Sequence, residues 1–256
     1  MADAGPDRPG ATGFVPDGAG LDGLRTAAAG CHGCELYADA TQTVFSKGSP
    51  IARVALVGEQ PGDVEDRRGA PFVGPAGQLL DRALDEAGFD RSTVYVTNAV
   101  KHFRFRTDGP PGRGRRIHVT PDAVHVEACK PWLLAELAVL DPELVVLLGA
   151  TAGRALLGPS FRVTRDRGRL VARPGRRDEP AAVQLGWILA TLHPSAILRA
   201  DDQEAAYAGL VADLRVGAQV LGGGSVPSER SLSTASSAAV ASDTDATASA
   251  PAASER

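Results

Sequence analysis

Four short stretches carry side chains able to do chemistry. "GEQPG" (residues 58–62) sets an acid/base group, Glu59, beside a carboxamide, Gln60, and its glycines, Gly58 and Gly62, let a backbone approach a ligand closely. It is not a phosphate-binding loop, because it lacks both the Gly-Lys-Ser/Thr ending and the glycine spacing of a dinucleotide site. Asn98 closes an apolar run within "TVYVTNAV" (93–100) and offers a hydrogen-bond donor and an acceptor on one group. "TLHPSA" (191–196) sets His193 before Pro194, able to start a helix, and Ser195, able to cap it. A helix N-terminus disfavours the imidazolium, so His193 there is suited to be a neutral donor to a developing oxyanion. "APFVGPAG" (70–77) puts Phe72 on a Gly/Pro-bounded loop, as a core plug or as a platform for a planar base worth ~1–3 kcal/mol of stacking. Each stretch alone has an ordinary structural reading; the four matter together.

A charged segment accompanies them. Between Lys101 and His118 lie six Lys/Arg against one Asp, in a chain whose formal net charge is −4. It reads as a glycine- and arginine-rich loop that delivers His118. Residues 162–177, "RVTRDRGRLVARPGRR", form a second basic block with seven Arg and one Asp. Two such blocks in an acidic chain imply a surface facing a polyanion. The plainer reading is a pair of solvated arginine loops.

The three cysteines are Cys31 and Cys34, in "CHGCELY", and Cys129. An odd number with one Cys-x-x-Cys pair favours a metal or redox role over a disulfide framework. A zinc ribbon needs a second pair and a thioredoxin-like motif needs a preceding strand; neither is present. Three thiolates want a fourth ligand, and His102 heads the basic loop. A Cys3His set suits zinc and iron–sulfur chemistry alike, so spacing does not choose the metal.

The elements that must position these groups are legible as alternation. "RVALVGEQPG" (53–62), "TVYVTNAV" and "ELVVLLGA" (143–150) read as buried strands, and "GWILATLHPSAIL" (186–198) as a strand running into a turn. Between them, 75–89, 120–141, 151–158 and 201–221 read as helices, the second opened by Thr120 as N-cap with Pro121 behind it and with Pro131 as a point of kinking. This order means an α/β protein, a single-domain αβα sandwich on a mainly parallel sheet. Ligands sit at the carboxyl ends of such strands, where Gly58–Gly62, Asn98 and His193 fall. The domain is expected over 21–221, with 1–20 and 222–256 as disordered tails, because their Gly, Ala, Ser and Pro cannot bury enough apolar surface. No apolar stretch reaches the ~18 residues of a membrane span and no leader pattern opens the chain, so a cytoplasmic monomer is expected.

Taken together, "GEQPG", "APFVGPAG", "TNAVKHF", the Cys pattern and "HPSAIL" resemble the uracil-DNA glycosylase superfamily, specifically its iron–sulfur family 4, over about residues 22–220. The resemblance implies a [4Fe-4S] cluster on Cys31, Cys34, His102 and Cys129, and uracil-containing DNA, preferably single-stranded, as partner. It further implies a deoxyuridine flipped against Gly58, stacked on Phe72, read along its N3–H and O4 edge by Asn98, and relieved of its leaving-group charge at O2 by His193. Two departures stand out: family 4 has a cysteine where this chain has His102, and a shorter stretch where it has "GRGRRIH". That insertion resembles the loop of the UdgX branch, whose members cross-link to DNA through a loop histidine, here His118. The usual loop begins with Lys where this chain has Gly114. On this reading Glu59 orients His118 or takes its proton, Gln60 holds the loop, and Lys101, Arg113, Arg115, Arg116 and Ser195 meet the DNA backbone. A conventional turning-over family 4 enzyme is the alternative, and a non-catalytic iron–sulfur DNA-binding module the alternative of another class.

Overall fold

The computed structural model of the chain describes residues 8–110, 114–173 and 186–221. Its elements follow as α1 (Leu21–Ala28), α2 (Leu36–Asp39), β1 (Ser46–Lys47), β2 (Val54–Gly58), α3 (Asp63–Arg68), α4 (Pro75–Glu86), β3 (Val94–Asn98), β4 (Phe105–Asp108), β5 (Arg115–His118), α5 (Ala123–Leu140), β6 (Leu144–Leu148), α6 (Gly149–Leu157), α7 (Val163–Asp166), β7 (Leu170–Ala172), β8 (Trp187–Thr191), α8 (Pro194–Ile197) and α9 (Gln203–Leu221). None of the described helices is long and apolar enough to cross a membrane.

Strands β2, β3 and β6 are buried along their whole length, as continuous apolar runs covered on both faces must be. With β8 they form a parallel sheet in the order β3-β2-β6-β8, and β1 and β7 close its edges antiparallel. Period-two alternation sends Ala55, Val57, Tyr95, Val145 and Leu147 to the face packed by α1, α5 and α6. Val54, Leu56, Val94, Val96, Leu144 and Val146 point the other way, onto α4 and α9. This is the expected αβα sandwich. From β2 the chain goes first to β3 on one side and later to β6 on the other. The crevice above β2 and β6 is therefore the topological switch point, where open α/β sheets take ligands.

Two boundaries differ from the sequence expectation. Residues 8–20, expected within a disordered tail, pack on the domain: the N–H groups of Gly10 and Ala11 donate to the carbonyls of Gly33 (2.9 Å) and Ala128 (2.7 Å), and Ala11 is buried. Side chains add to this: Arg8 pairs with Glu35, and Phe14, Val15 and Ala19 pack against the core. Residues 1–7 and 222–256 lie outside the described residues. Helix α5 starts at Ala123 rather than behind Thr120, because Asp122 caps it and His125 completes the capping box by accepting from the Asp122 N–H at 3.1 Å. The helix then runs through Pro131 unbroken.

The basic stretch after β3 is not an open loop. It folds as the antiparallel pair β4–β5, in which Phe105 faces His118 and Thr107 faces Arg116, so His118 sits at the end of the returning strand. The second basic block becomes α7 and the edge strand β7. Three of its arginines meet acids: Arg165 on Asp166, Arg167 on Asp213 and Arg173 on Asp141. Residues 174–185 of that block lie outside the described residues.

Candidate active site

All four parallel strands deliver a group to one cleft of about 800 Å³: Glu59 after β2, Asn98 at the end of β3, Gly149 after β6 and His193 after β8. Phe72 and His118 close it from two sides.

The base-sized slot depends on glycine. A Cβ at Gly58 would stand 2.3 Å from Asn98 Oδ1 and 2.6 Å from Phe72 Cζ, so no larger residue fits beneath those two side chains. Asn98 is buried, and its Oδ1 has no hydrogen-bond partner among the described residues. A buried acceptor left unpaired costs about 1–3 kcal/mol, which a ligand N–H would recover. Phe72 has φ 55°, a left-handed conformation that a bulky residue adopts only under constraint.

His193 is itself the N-cap of α8. Its Nδ1 accepts from the Ser195 N–H at 3.1 Å and lies 2.8 Å from the Ser195 hydroxyl. Ser195, expected as the cap, instead fixes the tautomer of this ring, leaving the proton on Nε2. Burial holds the imidazole neutral, with a pKa lowered to about 4. Gly149 makes the room: a Cβ there would lie 2.9 Å from that of His193.

Glu59 bridges two walls. Its Oε2 accepts from the Thr151 hydroxyl, and its Oε1 lies 3.3 Å from His118 Nε2. Burial pushes its pKa up, but the hydrogen bonds from His118 and Thr151 outweigh burial and keep it a carboxylate. His118, with 47% of its side chain exposed, is both reachable from solvent and turned toward the cleft. Its ring centroid is 6.1 Å from that of Phe103.

Gln60 holds the hairpin. Its Nε2 donates to the carbonyls of Arg104 and Val119, each at 3.1 Å, and its Oε1 accepts from the Arg104 N–H at 3.0 Å. With both ends of the amide occupied by backbone, Gln60 positions the hairpin that carries His118.

The expected DNA contacts divide. Lys101 is 1% exposed; its ammonium pairs with Glu136 and donates to Thr97 Oγ1 (2.6 Å) and the Asn98 carbonyl (2.9 Å), so it is an internal strut and not a phosphate contact. Arg116 likewise turns inward. It is 14% exposed, paired with Asp63 at 2.5 Å and with Asp66 at 2.6 Å, and its guanidinium lies 4.9 Å from the centre of the Phe105 ring. Arg115, one residue earlier and so on the opposite face, is exposed. Arg113 lies outside the described residues. The acids of "DVED" (63–66), Thr151 and Glu136 were missed; the run of acids was visible in the sequence, but nothing there paired it with an arginine fifty residues on.

On the far side of the sheet Cys31, Cys34, Cys129 and His102 line one buried cavity with Trp132 and Lys101. Two sulfurs accept hydrogen bonds, Cys129 from the Lys101 N–H at 3.3 Å and Cys31 from the Trp132 indole at 3.2 Å. Among the described residues no three His, Cys, Asp or Glu side chains are gathered to hold a single ion.

A family model described as the uracil DNA glycosylase superfamily matches residues 45–215, beginning after the Cys-x-x-Cys pair. The chain is similar to a type-4 uracil-DNA glycosylase of Thermotoga maritima, 35% identical over 170 residues that span 66% of this chain and 78% of the relative. It is similar to a protein of the same name from Pyrobaculum aerophilum, at 36% over 171 residues (66% and 80%), and to one from Archaeoglobus fulgidus, at 30% over 184 residues (70% and 83%).

Proposed function

Because the chain belongs to the uracil-DNA glycosylase superfamily, we propose that it excises uracil from DNA in repair and that His118 then captures the sugar. The relatives' names support the first step and are silent on the second. One observation carries the second: an accessible imidazole 3.3 Å from a partly buried carboxylate, in the cleft that holds Phe72, Asn98 and His193.

In this mechanism uracil stacks on Phe72 and donates its N3–H to the unpaired Asn98 Oδ1. The bond from C1′ to the base breaks with its electron pair going to the base. His193 donates its Nε2–H to the oxyanion that develops at O2. The cationic sugar is attacked by one ring nitrogen of His118, and the proton on the other passes to Glu59. The new bond resembles that of a nucleoside and hydrolyses slowly, so the protein stops after one turnover. A water in place of the imidazole gives the conventional enzyme.

We assign Cys31, Cys34, Cys129 and His102 to a [4Fe-4S] cluster. The chemistry of the donor set fits: three thiols and one imidazole line the same buried cavity, as iron–sulfur ligation requires. Burial pushes the Cys129 thiol up to about 12 and lowers the His102 pKa to about 4, so the imidazole is neutral and the sulfur needs a metal to become a thiolate. Thr43 Oγ1 lies 2.8 Å from His102 Nε2, leaving Nδ1 to ligate. Bound there, the cluster would tie residues 8–34 to α5 and to the end of β3.

Single-stranded DNA containing one uracil, incubated with the protein and run on a denaturing gel, tests the reading. A band that stays retarded through heat and detergent supports both steps. Free DNA that alkali cleaves at the former uracil leaves only excision, and unchanged DNA removes both.

A further inference from the structure

The two walls that close on the base are both held by the short helix α3. On one side Asp63 and Asp66 grip Arg116 of the hairpin that carries His118. On the other, Glu65 reaches the loop that carries Phe72: its Oε1 accepts from the N–H groups of Val73 (3.1 Å) and Gly74 (2.7 Å), the two residues that follow Phe72. Space for this carboxylate is reserved by glycines, since a Cβ at Gly62 would lie 2.6 Å from Glu65 Oε2 and one at Gly74 3.0 Å from Oε1.

Phe72 needs such a tether. At φ 55° its backbone is strained, and a free loop would relax to negative φ, swinging the ring away from Gly58 and Asn98. Gly58 and Gly77 permit the conformation: a Cβ at Gly77 would stand 1.9 Å from the Phe72 carbonyl oxygen. Permission is not restraint, and the restraint comes from the two hydrogen bonds to Glu65. Gly74, the N-cap of α4, brings no side chain of its own to fix that junction.

Resting on the excision reading above, we propose that Glu65 is a positioning residue for base recognition, holding Phe72 in the left-handed conformation that faces its ring to the flipped base. It touches neither base nor sugar and acts through Phe72 alone. Its place on α3 also explains how the stacking wall and the His118 wall keep their spacing, because both are built on one rigid turn of helix.

A double-mutant cycle tests this by single-turnover uracil release. Glu65→Ala should slow release about 10- to 100-fold, the scale of a reacting partner misplaced by about 1 Å. Glu65→Gln keeps a carbonyl acceptor of the same reach and should stay within about threefold of wild type. In a Phe72→Ala background, adding Glu65→Ala should cost less than about twofold more, since two residues acting through one contact are not additive. Unchanged affinity for undamaged DNA marks a folded variant; if Glu65→Ala fails that control, Glu65→Leu, of similar length with no acceptor, takes its place in the cycle. Additive losses, or Glu65→Ala releasing uracil at the wild-type rate while Phe72→Ala is crippled, overturn the proposal alone. A wild-type chain that releases no uracil overturns it together with the functional reading.

Discussion

Residues 101–118 and 162–173 are two arginine-rich segments of one acidic chain, and folding treats them differently. In the first, strand alternation sorts the charge: Arg116 is driven inward onto Asp63 and Asp66, while Arg115 and Arg106 stay exposed on the outer face of the hairpin. In the second, Arg167 and Arg173 meet Asp213 and Asp141 elsewhere in the domain, while Arg165 stays exposed on its neighbour Asp166, so much of the charge there is met by the protein's own acids. Local charge density therefore does not measure DNA-facing charge. What distinguishes the first segment is that its strands return to the switch point of the sheet and bring an imidazole to a carboxylate already there.

The sharpest way to break the contrast is to remove that imidazole. Other nucleophiles near it are occupied: Lys101 is buried on Glu136, and His125 is buried with its Nε2 2.9 Å from Glu35. His118→Ser should abolish the covalent band and open room for a water, while Phe72, Asn98 and His193 still expel uracil. A single-turnover protein becomes a multiple-turnover hydrolase that leaves alkali-labile sites. A His118→Ser chain that still cross-links to uracil-containing DNA would falsify the assignment of the nucleophile.

The contrast also shows what a sequence exposes. Asn98 and His193 were legible because apolar strands ended at them, and strand ends converge in a parallel sheet whatever else the chain does. Arg115 and Arg116 were read alike because a loop has no faces; the hairpin that separates them is set by Gln60, whose backbone contacts have no sequence signal. Lys101 was misplaced for a related reason. Its partner Glu136 is thirty-five residues away on α5, and burial of a charge is decided by that partner. Residues 8–20 are hidden by their Gly-, Pro- and Asp-rich composition, because the few side chains that anchor them, Arg8 on Glu35 and Phe14 and Val15 on the core, carry no periodic pattern.

The second segment offers a smaller test. Arg167 pairs with Asp213 at 2.7 Å, and the same carboxylate accepts from Thr191 at 2.5 Å on β8. Asp213 is mostly buried, so Arg167→Ala leaves it short of a partner and should cost about 1–2 kcal/mol, below the full penalty for breaking a buried pair because Arg167 itself is partly exposed. For a domain of this size that is a fall of about 2–8 °C in Tm. Uracil release and the salt dependence of DNA binding should not change. A loss of DNA affinity with an unaltered Tm would return Arg167 to the nucleic-acid surface and erase the distinction between the segments.

The smallest effect belongs to Arg115, and it separates holding the DNA from reacting with it. Arg115 stands on the outer face of the hairpin, opposite Asp108 across the strands and without the paired acids that engage Arg116. A single phosphate contact from Arg115 would release one condensed counterion. Arg115→Ala should weaken binding by a few-fold, equally for uracil-containing and undamaged DNA, and reduce the slope of log K against log salt by about 0.7–0.9. At saturating protein the rate of uracil release and the yield of adduct should match wild type, because His118 is held by Gln60 and Arg116 and neither touches Arg115 for its support. Arg115 also lines the rim of the cleft, so a variant that binds with an unchanged salt slope but forms less adduct at saturation would mean that it acts on the reacting groups rather than on the DNA backbone, and the division of labour between the two faces of β5 would fail.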